Sequence, residues 1–172
     1  MGFQSSVQIF TGFGVPGELY QDAPSIVQSY TLNSALASYN VIGAAAFTVT
    51  SQGFAQAGSG GALGFAGILV DPKNQALFGA AGGAPLSPTL VLPNYAQGEL
   101  LSMGIIVVTL PGAAAIGDWV VYDNTTGALE TVASGAGLPS GKSWANAIVT
   151  QYTVSGAGLA VIQVNPGLGV PT

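Results

Sequence analysis

The chain reads as all-β: a single-domain jelly-roll-like sandwich or small β-barrel with extended N- and C-terminal arms. Three observations predict this. No stretch of a dozen residues carries an apolar stripe at the 3.6-residue helical period. Short β-branched and aromatic runs recur instead, each closed by turn residues. The 26 Gly and 10 Pro are scattered along all 172 residues, with no linker-like concentration. They punctuate one domain, and a chain of this length buries a core without disulfide or metal staples.

In chain order, strands are expected over residues 7–10, 26–32, 46–50, 65–70, 89–92, 100–110, 119–122, 129–132, 147–152 and 159–164. Each is rich in Val, Ile, Leu, Phe, Tyr or Thr and is bounded by Gly, Pro, Asn, Asp or Ser. Asp123-Asn-Thr-Thr-Gly127 supplies left-handed turn positions between the runs on either side of it, as a hairpin requires. Ser155-Gly-Ala-Gly158 does the same for the last pair of strands. Residues 159–164 alternate imperfectly, which suits a strand covered on both faces. Residues 51–61 (SQGFAQAGSGG) read as a flexible loop carrying one aromatic, Phe54. The uncharged run 100–117 touches the lower length of a membrane span. Its Pro111-Gly112 pair and lack of flanking cations make it a strand followed by a turn. The first residues lack a basic stretch, so no signal peptide is expected. The core is assigned to residues 25–164, an N-terminal arm to 1–24 and a C-terminal tail to 165–172. The arm holds Phe3, Phe10, Phe13 and Tyr20 among Gly and Pro. Apolar arms of this kind either wrap their own sheet or find a partner on another chain.

Composition narrows the chemistry. Charged residues make up 5% of the chain, with a net charge of −5, against a usual share of about 25%. Histidine and cysteine are absent, and Lys73 and Lys142 are the only cations. No conventional zinc, haem or iron–sulfur site can be assembled, nor a Ser-His-Asp or Cys-His nucleophile. Two lysines cannot build a phosphate-tracking groove, so nucleic acid is not an expected partner. No charge occurs between Asp22 and Asp71. Either uncharged polar groups solvate that surface or other chains cover part of it.

The motif matches lead back to structure. Residues 136–143 (AGLPSGKS) fit a relaxed phosphate-binding loop. Such a loop must open a helix whose N-terminus holds the phosphates, and here a strand-like run follows. Asp118, Asp123 and Glu130 could approach each other within one hairpin. Their positions are those of turn residues, and they match neither a glycosidase pair nor a calcium loop. No catalytic, cofactor or metal residues are assigned, and no membrane partner.

With these readings in place, the chain resembles the structural cement (capsid decoration) proteins of tailed phages. The resemblance runs through Gly2-Phe-Gln-Ser-Ser-Val7, Phe13-Gly-Val-Pro-Gly-Glu-Leu-Tyr20, Gln28-Ser-Tyr-Thr-Leu-Asn33 and Tyr39-Asn-Val-Ile-Gly43. It continues in Ala46-Phe-Thr-Val-Thr50, Phe65-Ala-Gly-Ile-Leu-Val70, Gly104-Ile-Ile-Val-Val108 and Ile116-Gly-Asp-Trp-Val-Val-Tyr122. Thr126-Gly-Ala-Leu129, Ala145-Asn-Ala-Ile-Val149 and Gly158-Leu-Ala-Val-Ile162 complete it. It implies a non-enzymatic virion protein on the outer surface of an icosahedral head, made in the bacterial host cytoplasm. Its implied partners are the major capsid protein and copies of itself, as homodimer or homotrimer at symmetry axes. Phe3, Phe10 and Phe13 are the candidate partner contacts. The alternative is a carbohydrate- or receptor-binding module of a phage tail fibre or cell surface, using Trp119 and Trp144.

Overall fold

The computed structural model describes residues 14–20, 24–58, 64–70 and 91–165. They form nine strands: β1 (Ile26–Thr31), β2 (Ala46–Val49), β3 (Ala55–Ala57), β4 (Phe65–Leu69), β5 (Gln97–Leu110), β6 (Trp119–Asp123), β7 (Leu129–Val132), β8 (Lys142–Gln151) and β9 (Gly158–Val164). A short 3₁₀ turn, Ala37–Tyr39, interrupts the β1–β2 connection. The strands lie in the order β3-β2-β4-β5-β9-β8-β6-β7, with β1 also paired to β5, and every named pairing is antiparallel. Among the described residues the sheet does not close. One isolated bridge, Ala45 to Ala128, links its two ends. The architecture is therefore the sandwich of the two expected alternatives, because no ladder joins β3 to β7.

The long β5 organises this sheet. Its first half pairs with β1 and β4, and its second half, from Gly104 to Leu110, pairs with β9. Gly104 marks the change of partner with a φ of +138°, a region that side chains rarely tolerate. A Cβ there would sit 3.0 Å from the Ser25 Cβ and 3.2 Å from a Leu101 methyl. Strands commonly turn the corner from one layer to the other at such points. Residues 14–20 extend the β1 side along the second half. Gly17 donates to the Val107 carbonyl, Val107 donates to Glu18, and Tyr20 donates to Ile105. Gly43 braces the same region: its φ is +63°, and a Cβ would fall 2.2 Å from the Gly17 nitrogen.

Side-chain alternation then divides the interior in two. Ile68, Leu101, Ile106, Val108, Val120, Tyr122, Val149 and Ile162 share one buried cluster drawn from both halves of the sheet. Their neighbours Phe47, Leu69 and Leu100 point the other way and meet Leu32, Ile42 and Leu92 in a second cluster. The first half of the sheet is thus covered on both faces, its outer face by the segments around Leu32–Ala45 and Leu92. A buried polar group ties those segments down. The Ser34 hydroxyl donates to Asn40, and the Asn40 amide donates to the Leu92 carbonyl (3.0 Å) and to Asn94 (2.9 Å). Asn94 returns a bond to the Ser34 carbonyl, and Ala57 donates to the Ser34 hydroxyl.

Two sequence expectations change. Residues 51–61 are not one flexible loop, since Ala55–Ala57 forms β3 against β2. Ala55 and Ala57 are small enough to bury beside Phe47, and the Thr48 hydroxyl fixes the Gly58 carbonyl at 3.0 Å. The penultimate strand begins at Lys142 rather than Ala147, because residues 142–144 pair with 121–123 across a bulge. The expected strand 7–10 lies outside the described residues. Of 89–92 only Val91 and Leu92 are described, and Val91 bridges Val41.

Two substitutions test this architecture. Gly104→Ala should cost about 2 kcal/mol in backbone strain and lower the melting temperature by about 4–8 °C for a chain of this size. Asn40→Ala strands several buried polar partners and should cost about 2–4 kcal/mol. Denaturant titration should show the Asn40→Ala midpoint falling at an unchanged slope.

Candidate docking surface

Alternation along the C-terminal half of the sheet fixes which residues face outward. On β6 these are Trp119 and Asp123, because Val120 and Tyr122 belong to the core; Val121 lies on the outer side but is fully buried. The pairing register then builds one continuous outward row: Val132 beside Trp119, Trp119 beside Ile148, Ile148 beside Gln163, and Gln163 beside Ile105. All five are partly exposed. Four are apolar, and the row crosses five strands, or about 19 Å at the usual strand spacing. Trp144 packs edge-to-face on Trp119, with ring centroids 6.2 Å apart and planes at 70°. That contact contributes about 0.5–1.5 kcal/mol beyond area burial. Beyond the row, Ile116 is 61% exposed and Leu138 44%.

The carboxylates near this face are all engaged. Asp118 accepts a bond from the Ala115 N–H at 2.8 Å and closes its own turn. Asp123 accepts the N–H groups of Thr125 (2.9 Å) and Thr126 (2.8 Å) and the Thr126 hydroxyl. Glu130 forms an ion pair with Lys142. Glu18, where residues 14–20 meet β5, accepts from the Val15 N–H at 3.1 Å. The Asp123 carboxyl is held below the ordinary range, first by the Thr126 N–H. Partial burial opposes this, while the Thr125 N–H, the Thr126 hydroxyl and the Lys142 charge add to it.

The structure thus brings Asp123 and Glu130 toward the same lysine, where they serve the hairpin. The phosphate-loop look-alike ends in strand β8, so no helix N-terminus stands behind Lys142 and Ser143 to receive phosphate. Among the described residues, no three His, Cys, Asp or Glu side chains cluster closely enough to hold a metal ion. A shallow cleft of about 280 Å³ is lined by Leu110, Pro111, Gly112, Ala113, Glu130 and Thr131. It contains one carboxylate, which is already paired. Phe3, Phe10 and Phe13 lie outside the described residues. Trp119 and Trp144 are brought together, 25 positions apart in sequence, by a β6–β8 pairing that skips β7. Sequence reasoning named both residues, but it missed the row they stand in. The row becomes visible only when the register of non-consecutive strands is known.

A β-sheet protein that presents neutral faces, with its carboxylates turned to structural use, is built as a structural module for protein contact. The family match makes this specific. Residues 3–165 match the family described as structural cement protein (E217 gp24/Pam3 gp6), and the chain belongs to that family. A chain in the solved structure titled "The capsid of Myoviridae Phage XM1" shares the fold. Its TM-score is 0.61 at 18% identity, covering 98% of this chain and 100% of that one. A comparison with curated proteins finds no match. The role is that of a phage capsid cement, a structural protein of the virion.

Acid should reveal the hairpin's electrostatics. The folded Asp123 carboxyl titrates below its unfolded value of 3.8. Its contribution to stability is therefore complete above that value and lost as pH falls through the lower folded one. Unfolding measured from about pH 5 to about pH 2 should show the gap between wild type and Asp123→Ala narrowing in acid. A gap that holds or widens would contradict the assignment.

Proposed function

We propose that this cement binds the outer surface of an icosahedral phage head and clamps neighbouring major capsid protein subunits. Copies of itself, as homodimer or homotrimer at symmetry axes, are its second partner. The chain is made in the bacterial host cytoplasm and performs no catalysis. The observation that carries this reading is the family match over residues 3–165. The physical character of the chain supports it. Two cations and a net charge of −5 suit a position away from packaged DNA. Low charge limits repulsion between closely spaced copies. A contact repeated at every lattice position gains from avidity, so modest affinity per copy suffices.

The N-terminal arm, residues 1–24, supplies partner contacts through Phe3, Phe10 and Phe13. Aromatic side chains at an interface bury large area at little conformational cost. Replacing all three with Ser should reduce occupancy on purified, undecorated shells at least tenfold. The circular dichroism of the variant should remain that of the parent. Undiminished occupancy would remove the arm from the capsid contact.

A further inference from the structure

We infer that the outward face of the C-terminal half of the sheet receives residues 1–13 of a second copy of this chain. The inference deepens the proposed function and rests on its assignment of Phe3, Phe10 and Phe13 to partner contact. The face is a sheet surface with an apolar row across it, Val132–Trp119–Ile148–Gln163–Ile105, bordered by Trp144. Its charges are internally neutralised or committed. Lys142 answers Glu130, and Asp118 and Asp123 are bound to their own turns. Two copies that each carry −5 can meet there with little like-charge cost.

Length and origin point to the occupant. The described chain begins at Gly14, and a Cβ on Gly14 would lie 3.0 Å from a methyl of Val107. Val107 and its neighbour Val161 lie on the same side of the sheet as the row but are fully buried, so the chain at Gly14 already runs onto that end of the face. The preceding residues 1–13 contain no charged side chain and include Phe3, Val7, Ile9, Phe10 and Phe13. Fully extended, 13 residues reach about 45 Å, more than twice the roughly 19 Å width of the row. A segment of that length starting at the sheet margin can leave its own subunit and cross the face of a neighbour. Reciprocal exchange of such segments gives a closed dimer, and head-to-tail exchange gives a ring.

The chain holds only two tryptophans, and both stand on this face. Their emission therefore reports directly on its occupancy. The experiment uses full-length protein in sedimentation equilibrium and fluorescence across a dilution series. Wild type should self-associate, with tryptophan emission shifting to shorter wavelength as concentration rises. A face variant, Ile148→Glu, and an arm variant, Phe3→Ser with Phe10→Ser and Phe13→Ser, should each raise the dissociation concentration at least tenfold. Mixing the two variants should restore association, because one intact arm then meets one intact face. Ile105→Ser, at the other end of the row, repeats the face test should Ile148→Glu disturb folding. Three results overturn the inference. In the first, association persists in the arm variant, so the sheet faces meet directly. In the second, emission is independent of concentration and mixing restores nothing, so the segment covers its own face. In the third, association ignores the face variants, so the acceptor lies elsewhere. Shell decoration by the arm variant scores the proposed function separately. Lost decoration with unchanged self-association sinks this inference alone.

Discussion

The structure hangs on the continuity of β5. Apart from the ten-residue β8, every other strand is seven residues or fewer, and none would hold a layer by itself in water. A 14-residue strand that changes partners at Gly104 gives both halves of the sheet a common backbone. Because its two ends serve different ladders, the larger core cluster can draw on both at once: Leu101 comes from one side of Gly104, and Ile106 and Val108 from the other. The N-terminal residues 14–20 and β1 run along the opposite edge of the same strand. The connection is geometric, and it depends on a residue without a Cβ.

That arrangement explains how a chain with 5% charged residues can present defined surfaces. The first half of the sheet is covered on both faces, with its polar groups satisfied among Ser34, Asn40 and Asn94. The second half covers its inner face fully and its outer face only in part, over Val107, Val121 and Val161, and leaves an apolar row partly exposed. Most of the described carboxylates are used to close turns or pair with Lys142. What remains on the outside is shape and apolar area, the attributes a capsid cement needs.

Much of this was legible in the sequence because the strands carry strong local signals. The runs at Val107–Val108, Val120–Val121 and Val161–Ile162 are β-branched and bounded by glycine or asparagine, so their assignment needed no tertiary information. Ala55–Ala57 was not legible, since Ala and Gln have little strand preference. That segment becomes a strand only because Phe47 and the Thr48 hydroxyl give it a place to pack. Lys142, Ser143 and Trp144 hid the start of β8 for a related reason: their pairing with β6 crosses a bulge that no periodicity reveals. The docking row stayed hidden as well. Trp119 and Ile148 each look ordinary in sequence, and only the β6–β8 register makes them neighbours.

If β5 makes one unit of the two halves, they must open together. Native-state hydrogen exchange on the protected amides from Leu100 to Val108 tests this directly, because these amides flank Gly104 and report on both ladders. The account predicts one opening free energy across Gly104, shared with amides of β4 and β9. Protected amides on the two sides whose openings differ by more than about 1.4 kcal/mol, a tenfold ratio in opening constant, would show two independent layers and contradict it.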